Sequence, residues 1–248
     1  MSNSEFIFGI HTIQSVLKEQ PGDIKEVWTS APADNKRISN LLKMAKAHKI
    51  PIKNISREKI DKKVGKSNHQ NILALAKKIT VLNEDKLSEL VENKNEKLLL
   101  LVIDGVTDAH NFGACIRTAE GAGVNAIITQ KRGSAEITPA VRRIASGAAE
   151  RMTFFQVTNL ARTLELLKKC GIWLYGTSEA GELSLYEVDF SFPLAIVVGS
   201  ENAGLKNLLI KKCDHMVRCP MLGKTESLNV SVATGIVLFE ATRQFKDN

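Results

Sequence analysis

Apolar and polar positions along this chain fall into blocks that read as strands and helices. The run Leu98-Leu-Leu-Leu-Val-Ile103 contains no polar residue, the pattern of a strand buried on both faces. Shorter apolar runs recur at 126–129, 154–157, 173–176, 194–198 and 216–219, and helical periodicity fills 112–122, 160–169 and 228–245. Strands alternating with helices predict an α/β domain over residues 97–248, its mostly parallel sheet covered on both sides. The first 78 residues alternate on a smaller scale. Strand-like segments at 6–9, 24–29, 52–55 and 72–76 are separated by helical ones at 11–18, 37–49 and 57–63. Pro51 breaks the second of these helices and Ser56 is placed to cap the third. Residues 79–96 turn acidic and polar around a helical patch at 87–91, and read as a linker between domains 1–78 and 97–248.

Composition narrows the class. Hydrophobic content of 44% and charged content of 25% are ordinary for a globular protein, and 248 residues suffice for one large core or two small ones. No apolar run is long enough to span a bilayer, and residues 1–10 lack the basic start and apolar run of a secretory signal. Cys115, Cys170, Cys213 and Cys219 are scattered without a C-x-x-C pair, which disfavours a zinc site or a disulfide framework. A cytoplasmic protein with reduced thiols, no metal and no membrane segment is expected.

The net charge of +7 is unevenly placed. Residues 1–78 hold 15 Lys/Arg against 7 Asp/Glu, residues 79–96 hold 2 against 5, and residues 97–248 hold 17 against 15. The basic excess lies in the first third, densest from Lys43 to Lys66, either as a phosphate-seeking surface or as a solvated lysine-rich face. Aromatic content of 5% argues against a base-stacking platform, so RNA on this domain would be held by charge and shape.

Two of the apolar runs end in loops of small and polar residues. They are Gly199-Ser-Glu-Asn-Ala-Gly-Leu205 and Cys219-Pro-Met-Leu-Gly-Lys-Thr-Glu-Ser-Leu-Asn-Val-Ser-Val-Ala233. Such loops at strand ends offer backbone amides and carbonyls to a small polar ligand. A third cluster, Asp104-Gly-Val-Thr-Asp-Ala-His-Asn-Phe-Gly-Ala-Cys-Ile-Arg-Thr118, follows the run 98–103. Each residue singled out has a plain structural reading. Asn111 could cap a helix with Arg117 on its surface, Gly199 and Gly204 could serve a tight turn, Glu201 could answer a helix dipole, and Ser227 could cap the last helix. Ser227, Asn229 and Ser231 grouped beside one apolar helix fit that reading less well, and the three clusters in order point to a ligand site. His110 abuts Asn111 and could touch substrate, whereas His11, His48, His69 and His215 read as structural or surface residues. A strand-following G-x-G-x-x-G, a P-loop, H-E-x-x-H and G-x-S-x-G are all absent.

In this order the clusters resemble the SpoU/TrmH branch of the SPOUT methyltransferases, in particular those bacterial enzymes that 2′-O-methylate a guanosine in the peptidyl-transferase loop of 23S rRNA. The residues carrying the resemblance are Phe8-Gly-Ile-His11, His69-Gln70, Asp104-Gly-Val-Thr107, His110-Asn111, Gly113-Ala-Cys115, Gly147-Ala-Ala-Glu150, Val157-Thr-Asn-Leu-Ala-Arg-Thr163 and Ser227-Leu-Asn-Val-Ser-Val-Ala-Thr-Gly-Ile236. They cover nearly the whole chain.

The resemblance implies a SPOUT-type parallel sheet with a C-terminal trefoil knot, an exception to unknotted topology. A small α/β ribosomal-protein-like RNA-binding domain would precede it. S-adenosyl-L-methionine (SAM) would lie in the knot against Gly199, Cys219 and Leu228, held mainly by main chain. Asn111, Arg117, Glu201, Ser227 and Asn229 become the catalytic candidates. A guanidinium stays protonated, so Arg117 is read as the cation that stabilises a developing alkoxide and clamps phosphate. Glu201 would orient it, with Ser227 and Asn229 shaping the pocket. A homodimer with sites near the subunit interface is implied, as is 23S rRNA or a large-subunit assembly particle as partner. Methylation of an rRNA adenosine or a tRNA guanosine, and a catalytically silent assembly factor, stay open. Cys219, Asn202 and Lys224-Thr225-Glu226 depart from the usual pattern and leave substrate less defined than reaction type.

Overall fold

The computed structural model describes residues 3–30, 35–65, 68–93, 96–201 and 203–247, with side chains through residue 245. Lys66 and Asn202, both singled out above, lie outside the described residues. In chain order come β1 (Ser4–Phe8), α1 (Ile10–Glu19), β2 (Ile24–Thr29), α2 (Lys36–Ala47), β3 (Ile52–Asn54), α3 (Arg57–Val64) and β4 (Ile72–Lys77). They are followed by β5 (Val81–Leu82), α4 (Glu84–Glu92), β6 (Leu99–Ile103), α5 (Ala109–Gly121), β7 (Ala126–Gln130), α6 (Pro139–Ile144), β8 (Thr153–Val157) and α7 (Leu160–Lys169). The last are β9 (Trp173–Thr177), β10 (Leu183–Ser184), β11 (Leu194–Val198), α8 (Asn207–Ile210), β12 (His215–Arg218) and α9 (Val230–Asp247). Two compact units result, Met1–Ile79 with Glu136–Arg151, and Thr80–Ala135 with Met152–Asn248.

In the first unit a four-stranded sheet runs β1-β4-β2-β3, antiparallel except between β2 and β3. Strand alternation sorts its side chains by face. The row Ile7, Ala74, Val27 and Ile52 packs on an aliphatic core with Ile13 and Leu17 of α1 and Ile38 and Leu41 of α2. Asn35 caps α2, its Oδ1 accepting from the Ile38 N–H at 3.2 Å. Ser56 precedes α3 but makes no side-chain capping bond. Two of the resembling motifs meet here, with Gln70 Oε1 accepting from the Ile10 N–H at 2.9 Å. His69 is buried beside them, its Nε2 3.0 Å from Asp61 and its Nδ1 accepting from the Asn71 N–H.

The segment Glu136–Arg151, expected within domain 97–248, belongs to this first unit instead. The reason is Arg142, only 1% exposed, whose Nη1 donates to Glu5 Oε1 at 2.8 Å while Nε and Nη2 donate to the Glu150 carboxylate at 2.9 and 2.8 Å. Separating such a buried cation from its carboxylates costs about 3–5 kcal/mol, so the segment stays with β1. Ser15 Oγ also donates to the Gly147 carbonyl at 3.0 Å.

The second unit is built on an eight-stranded sheet, β10-β12-β9-β11-β6-β7-β8-β5, in which every pairing is parallel. Its central strands β6 and β11 are buried at every position, as their unbroken apolar runs require. The chain builds outward from β6 through β7 and β8, then returns to β9 and β11 on the other side, so a topological switch point falls between β6 and β11. The expected linker 79–96 is not one. β5 pairs with β8, and α4 places Leu87 and Val91, one turn apart, in the core. That apolar pair outweighs the acidic composition of the segment. No helix among the described residues is long and apolar enough to cross a membrane.

Candidate active site

The carboxyl ends of β9, β11 and β12 open on a cavity of about 490 Å³. Its walls are the loop after β9 (Thr177, Ser178, Glu179, Ala180), the loop after β11 (Gly199 to Leu205), the loop after β12 (Cys219 to Leu228), and Val230 and Ala233 at the start of α9. A cavity of that size with mixed polar and apolar walls suits a drug-sized or nucleoside-sized ligand. Gly199, Cys219 and Leu228, the three expected cofactor contacts, all line it.

The loop after β11 is tightly tied. Ser200 and Gly204 exchange backbone hydrogen bonds of 3.2 and 2.8 Å. A Cβ on Gly199 would stand 2.1 Å from the Gly204 carbonyl carbon, so only glycine fits. Asp104, 2% exposed at the end of β6, holds both ends of this loop. Its N–H donates to the Val198 carbonyl at 2.8 Å, and its carboxylate accepts from the Lys206 N–H at 3.4 Å and from Lys206 Nζ at 2.5 Å.

That loop carries Glu201 to the centre of a polar group. Glu201 Oε1 accepts from Asn111 Nδ2 at 2.6 Å and from Asn229 Nδ2 at 2.5 Å, while Asn229 Nδ2 also approaches Asn111 Oδ1 at 3.0 Å. Asn229 Oδ1 in turn accepts from Ser231 N–H and Oγ–H at 2.9 and 2.6 Å. Residues from β6's following helix, from the β11 loop and from the start of α9 thus converge on one carboxylate oxygen. Hydrogen bonds to an ionised acceptor are the strong kind, which fixes both carboxamides.

Three expectations change. Asn111 is not the cap of α5, because Asp108 is, its Oδ1 accepting from the Asn111 N–H at 2.8 Å. The Asn111 side chain is thereby free for Glu201. Within one chain the bonds of Glu201 go to Asn111 and Asn229, and none goes to Arg117. Arg117 lies six residues beyond Asn111, about 120° around a helix of 3.6 residues per turn. It is exposed and has no ion-pair partner among the described residues. Ser227 lines the cavity, exposed, and does not cap α9, which starts at Val230. His110 is exposed at the head of α5.

Sequence reasoning missed Asp104 as a clamp, Lys206, and the loop after β9. The last had a legible signal, since Ser178-Glu-Ala-Gly181 is another small and polar stretch behind an apolar run. Burial pushes the Cys115 thiol up to about 11 and raises that of Cys219. Among the described residues no group of three or more His, Cys, Asp or Glu is placed to hold a metal ion.

A parallel sheet with a cavity at the carboxyl ends of its strands, rimmed by a carboxylate that binds two carboxamides, defines an α/β protein with a site for a small polar ligand. Residues 98–239 match the SpoU rRNA Methylase family, and residues 6–82 match the RNA 2′-O ribose methyltransferase substrate binding family. The chain belongs to the SpoU rRNA methylase family. It is 43% identical over 244 residues to the 23S rRNA (guanosine-2′-O-)-methyltransferase RlmB of Pseudomonas putida, which covers 98% of each chain. To the RlmB of Shewanella oneidensis it is 45% identical over 244 residues, covering 98% of this chain and 99% of that one. The crystal structure of an RNA 2′-O ribose methyltransferase matches with a TM-score of 0.81 at 26% identity, covering 98% of this chain and 90% of that one. The SpoU methyltransferase AviRb from Streptomyces viridochromogenes, in complex with AdoMet, shares the fold with a TM-score of 0.79 at 21% identity, covering 99% and 92%.

Proposed function

We propose that this chain transfers a methyl group from SAM to the ribose 2′-hydroxyl of a guanosine in 23S rRNA, within the peptidyl-transferase loop. The observation that carries this reading is the Asn111–Glu201–Asn229 group beside a cavity lined by Gly199, Cys219 and Leu228. It stands in a chain 43% and 45% identical to two guanosine-2′-O-methyltransferases.

The cavity walls fit SAM. Apolar Leu205, Ile210, Val217 and Val230 suit an adenine, the main chain at Gly199, Cys219 and Leu228 suits its polar edges, and the carboxylates of Glu179 and Glu226 suit an ammonium group. When bound, SAM supplies an electrophilic methyl carried on a sulfonium. The protein's own part is to position the hydroxyl for in-line attack, which supplies much of the rate. Glu201 fixes the two carboxamides and, through the oxygen not engaged by them, accepts from the ribose hydroxyl. Ser227 and Asn229 shape the pocket. Arg117, always protonated, stabilises the developing alkoxide and holds phosphate.

Arg117 turns away from the Asn111 of its own chain, so it serves the reaction in a homodimer whose sites lie near the subunit interface. The exposed Val232 and Phe239 of α9, with the Phe239 ring 3.9 Å from a Cβ built on Gly121 of α5, offer the apolar face for that pairing. The segment from β11 to α9 is threaded as a trefoil knot. The basic first unit receives the RNA, as naked 23S rRNA or as a large-subunit assembly particle, in the cytoplasm.

Labelled SAM, offered with unmodified 23S rRNA, bulk tRNA and 16S rRNA, tests this reading once the modified nucleotide is mapped. Methylation of one guanosine ribose in 23S rRNA is the expected result. A methyl group on tRNA or on an adenosine would replace the substrate named here. No transfer and no SAM binding would overturn the enzyme reading in favour of a silent assembly factor.

A further inference from the structure

The first 78 residues contain three aromatic side chains, Phe6, Phe8 and Trp28, and all three lie on one face of the four-stranded sheet. Register fixes this. Phe8 and Trp28 both stand opposite Leu73, Phe6 stands opposite Leu75, and Lys53 stands opposite Trp28. The other face carries the aliphatic core and two helices. On the aromatic face, among the described residues, α3 packs Ile60 over Phe8 and Leu73 and leaves Phe6 and Trp28 half-buried at its margin.

Phe6 and Trp28 lie 4.8 Å apart between ring centroids, tilted by 58°. Lys63 Nζ stands 5.5 Å from the Phe6 centroid and 5.9 Å from that of Trp28, and Lys53 Nζ stands 5.5 Å from the Trp28 ring. Glu26 shares the face and pairs with Lys53 at 2.5 Å, whereas Lys63 has no carboxylate partner among the described residues. Lys59 and Lys62 add exposed charge along α3. The Trp28 indole N–H is shielded from water and has no acceptor among the described residues.

Aromatic rings under ammonium groups with so little countercharge are the parts of a nucleotide site. A base can take an ammonium's place on a ring while that ammonium moves to a phosphate. Bases paired in an A-form helix cannot reach such a shelf, so the matching ligand is a single strand. We propose that this sheet face binds single-stranded RNA, with a base stacked against Phe6 and Trp28 and with Lys53 and Lys63 on the flanking phosphates. The proposal rests on the rRNA methyltransferase reading above and names the part of the first unit that holds the substrate. It reverses the expectation drawn from an aromatic content of 5%, because an average over the chain does not report where its few rings collect.

The chain has two tryptophans, so Trp173→Phe leaves Trp28 as the sole tryptophan, excited selectively at wavelengths tyrosine does not absorb. Titration of this full chain with single-stranded oligouridylate and, separately, with a blunt RNA duplex follows Trp28 directly, and fluorine-labelled tryptophan read by NMR repeats the test in the unsubstituted chain. Saturable quenching by the single strand and none by the duplex is expected. Lys53→Met with Lys63→Met should flatten the slope of log affinity against log salt by about 1.4, two phosphates at roughly 0.7 each. Single strand retained in a gel-shift assay with Trp28 unmoved, or equal quenching by the duplex, would overturn this proposal and leave the enzyme reading standing. No binding of 23S rRNA together with no methyl transfer would overturn both.

Discussion

Two loops face each other across the cavity and are built differently. The one after β11 is closed by reciprocal Ser200–Gly204 bonds and clamped at both ends by the buried Asp104. The one after β12 is exposed at every position from 220 to 227, with Leu222 fully so, and its first side-chain tie is Asn229. One wall is therefore set by the protein's own bonds, while the other has few side-chain partners of its own among the described residues. Preformed contacts lower the ordering cost of binding, so the β11 loop should set affinity and geometry and the β12 loop should respond to occupancy.

The largest effect expected is that of Gly199→Ala. Its Cβ would lie 2.1 Å from the Gly204 carbonyl carbon, and opening the loop to admit it should weaken SAM binding by at least about 100-fold in a calorimetric titration. Affinity close to that of the unsubstituted chain would mean that the tight wall does not carry the cofactor. Next comes the clamp. Lys206→Met strands the Asp104 carboxylate, but Lys206 itself is 62% exposed, so the loss should fall short of a fully buried pair, about 2 kcal/mol in urea unfolding. Asp104→Asn keeps an acceptor for the Lys206 N–H and should cost about 1 kcal/mol or less, and adding it to Lys206→Met should recover stability. A double variant weaker than the sum of its parts would refute the clamp.

The smallest effect distinguishes the exposed wall by chemistry. Burial raises the thiols of Cys219, Cys115 and Cys213, the last two to about 11 and about 12. At about pH 8 a thiol-alkylating reagent should reach Cys219, which lines the cavity, and SAM should slow that reaction several-fold, with Cys115 and Cys213 unreacted throughout. Equal rates with and without SAM would remove Cys219 from the ligand's cover. The same shifts carry a sign for stability. The folded chain keeps thiol protons that the unfolded chain releases near pH 9, so this contribution is whole below about pH 9 and declines as pH rises towards 11.

Much of this architecture could be read from local pattern, because local pattern determined it. The doubly buried strands β6 and β11 are unbroken apolar runs, and α7 begins after its Asn159 cap with a clean apolar stripe. The failures have two physical sources, averaging composition over a segment and pairing over long separations. Composition made 79–96 a linker because it hides the fact that Leu87 and Val91 share a helix face. Sequence order placed 136–151 in the wrong unit because the partners of Arg142 are Glu5 and Glu150, the first of them 137 residues away. Asn111, Glu201 and Asn229 are legible as candidates, yet their mutual bonding across 90 and 28 residues is not. Strand register alone reveals that Phe6, Phe8 and Trp28 share a face.

The central structural claim is that Glu201 organises the reacting hydroxyl's surroundings rather than the cofactor's. Glu201→Gln tests it, with SAM affinity by calorimetry and methyl transfer to 23S rRNA measured on the same preparation. Replacing the carboxylate that accepts from both Asn111 and Asn229 should lower turnover by about 100-fold while SAM affinity stays within about threefold. A variant that loses SAM binding in step with turnover, or that turns over at full rate, would contradict it.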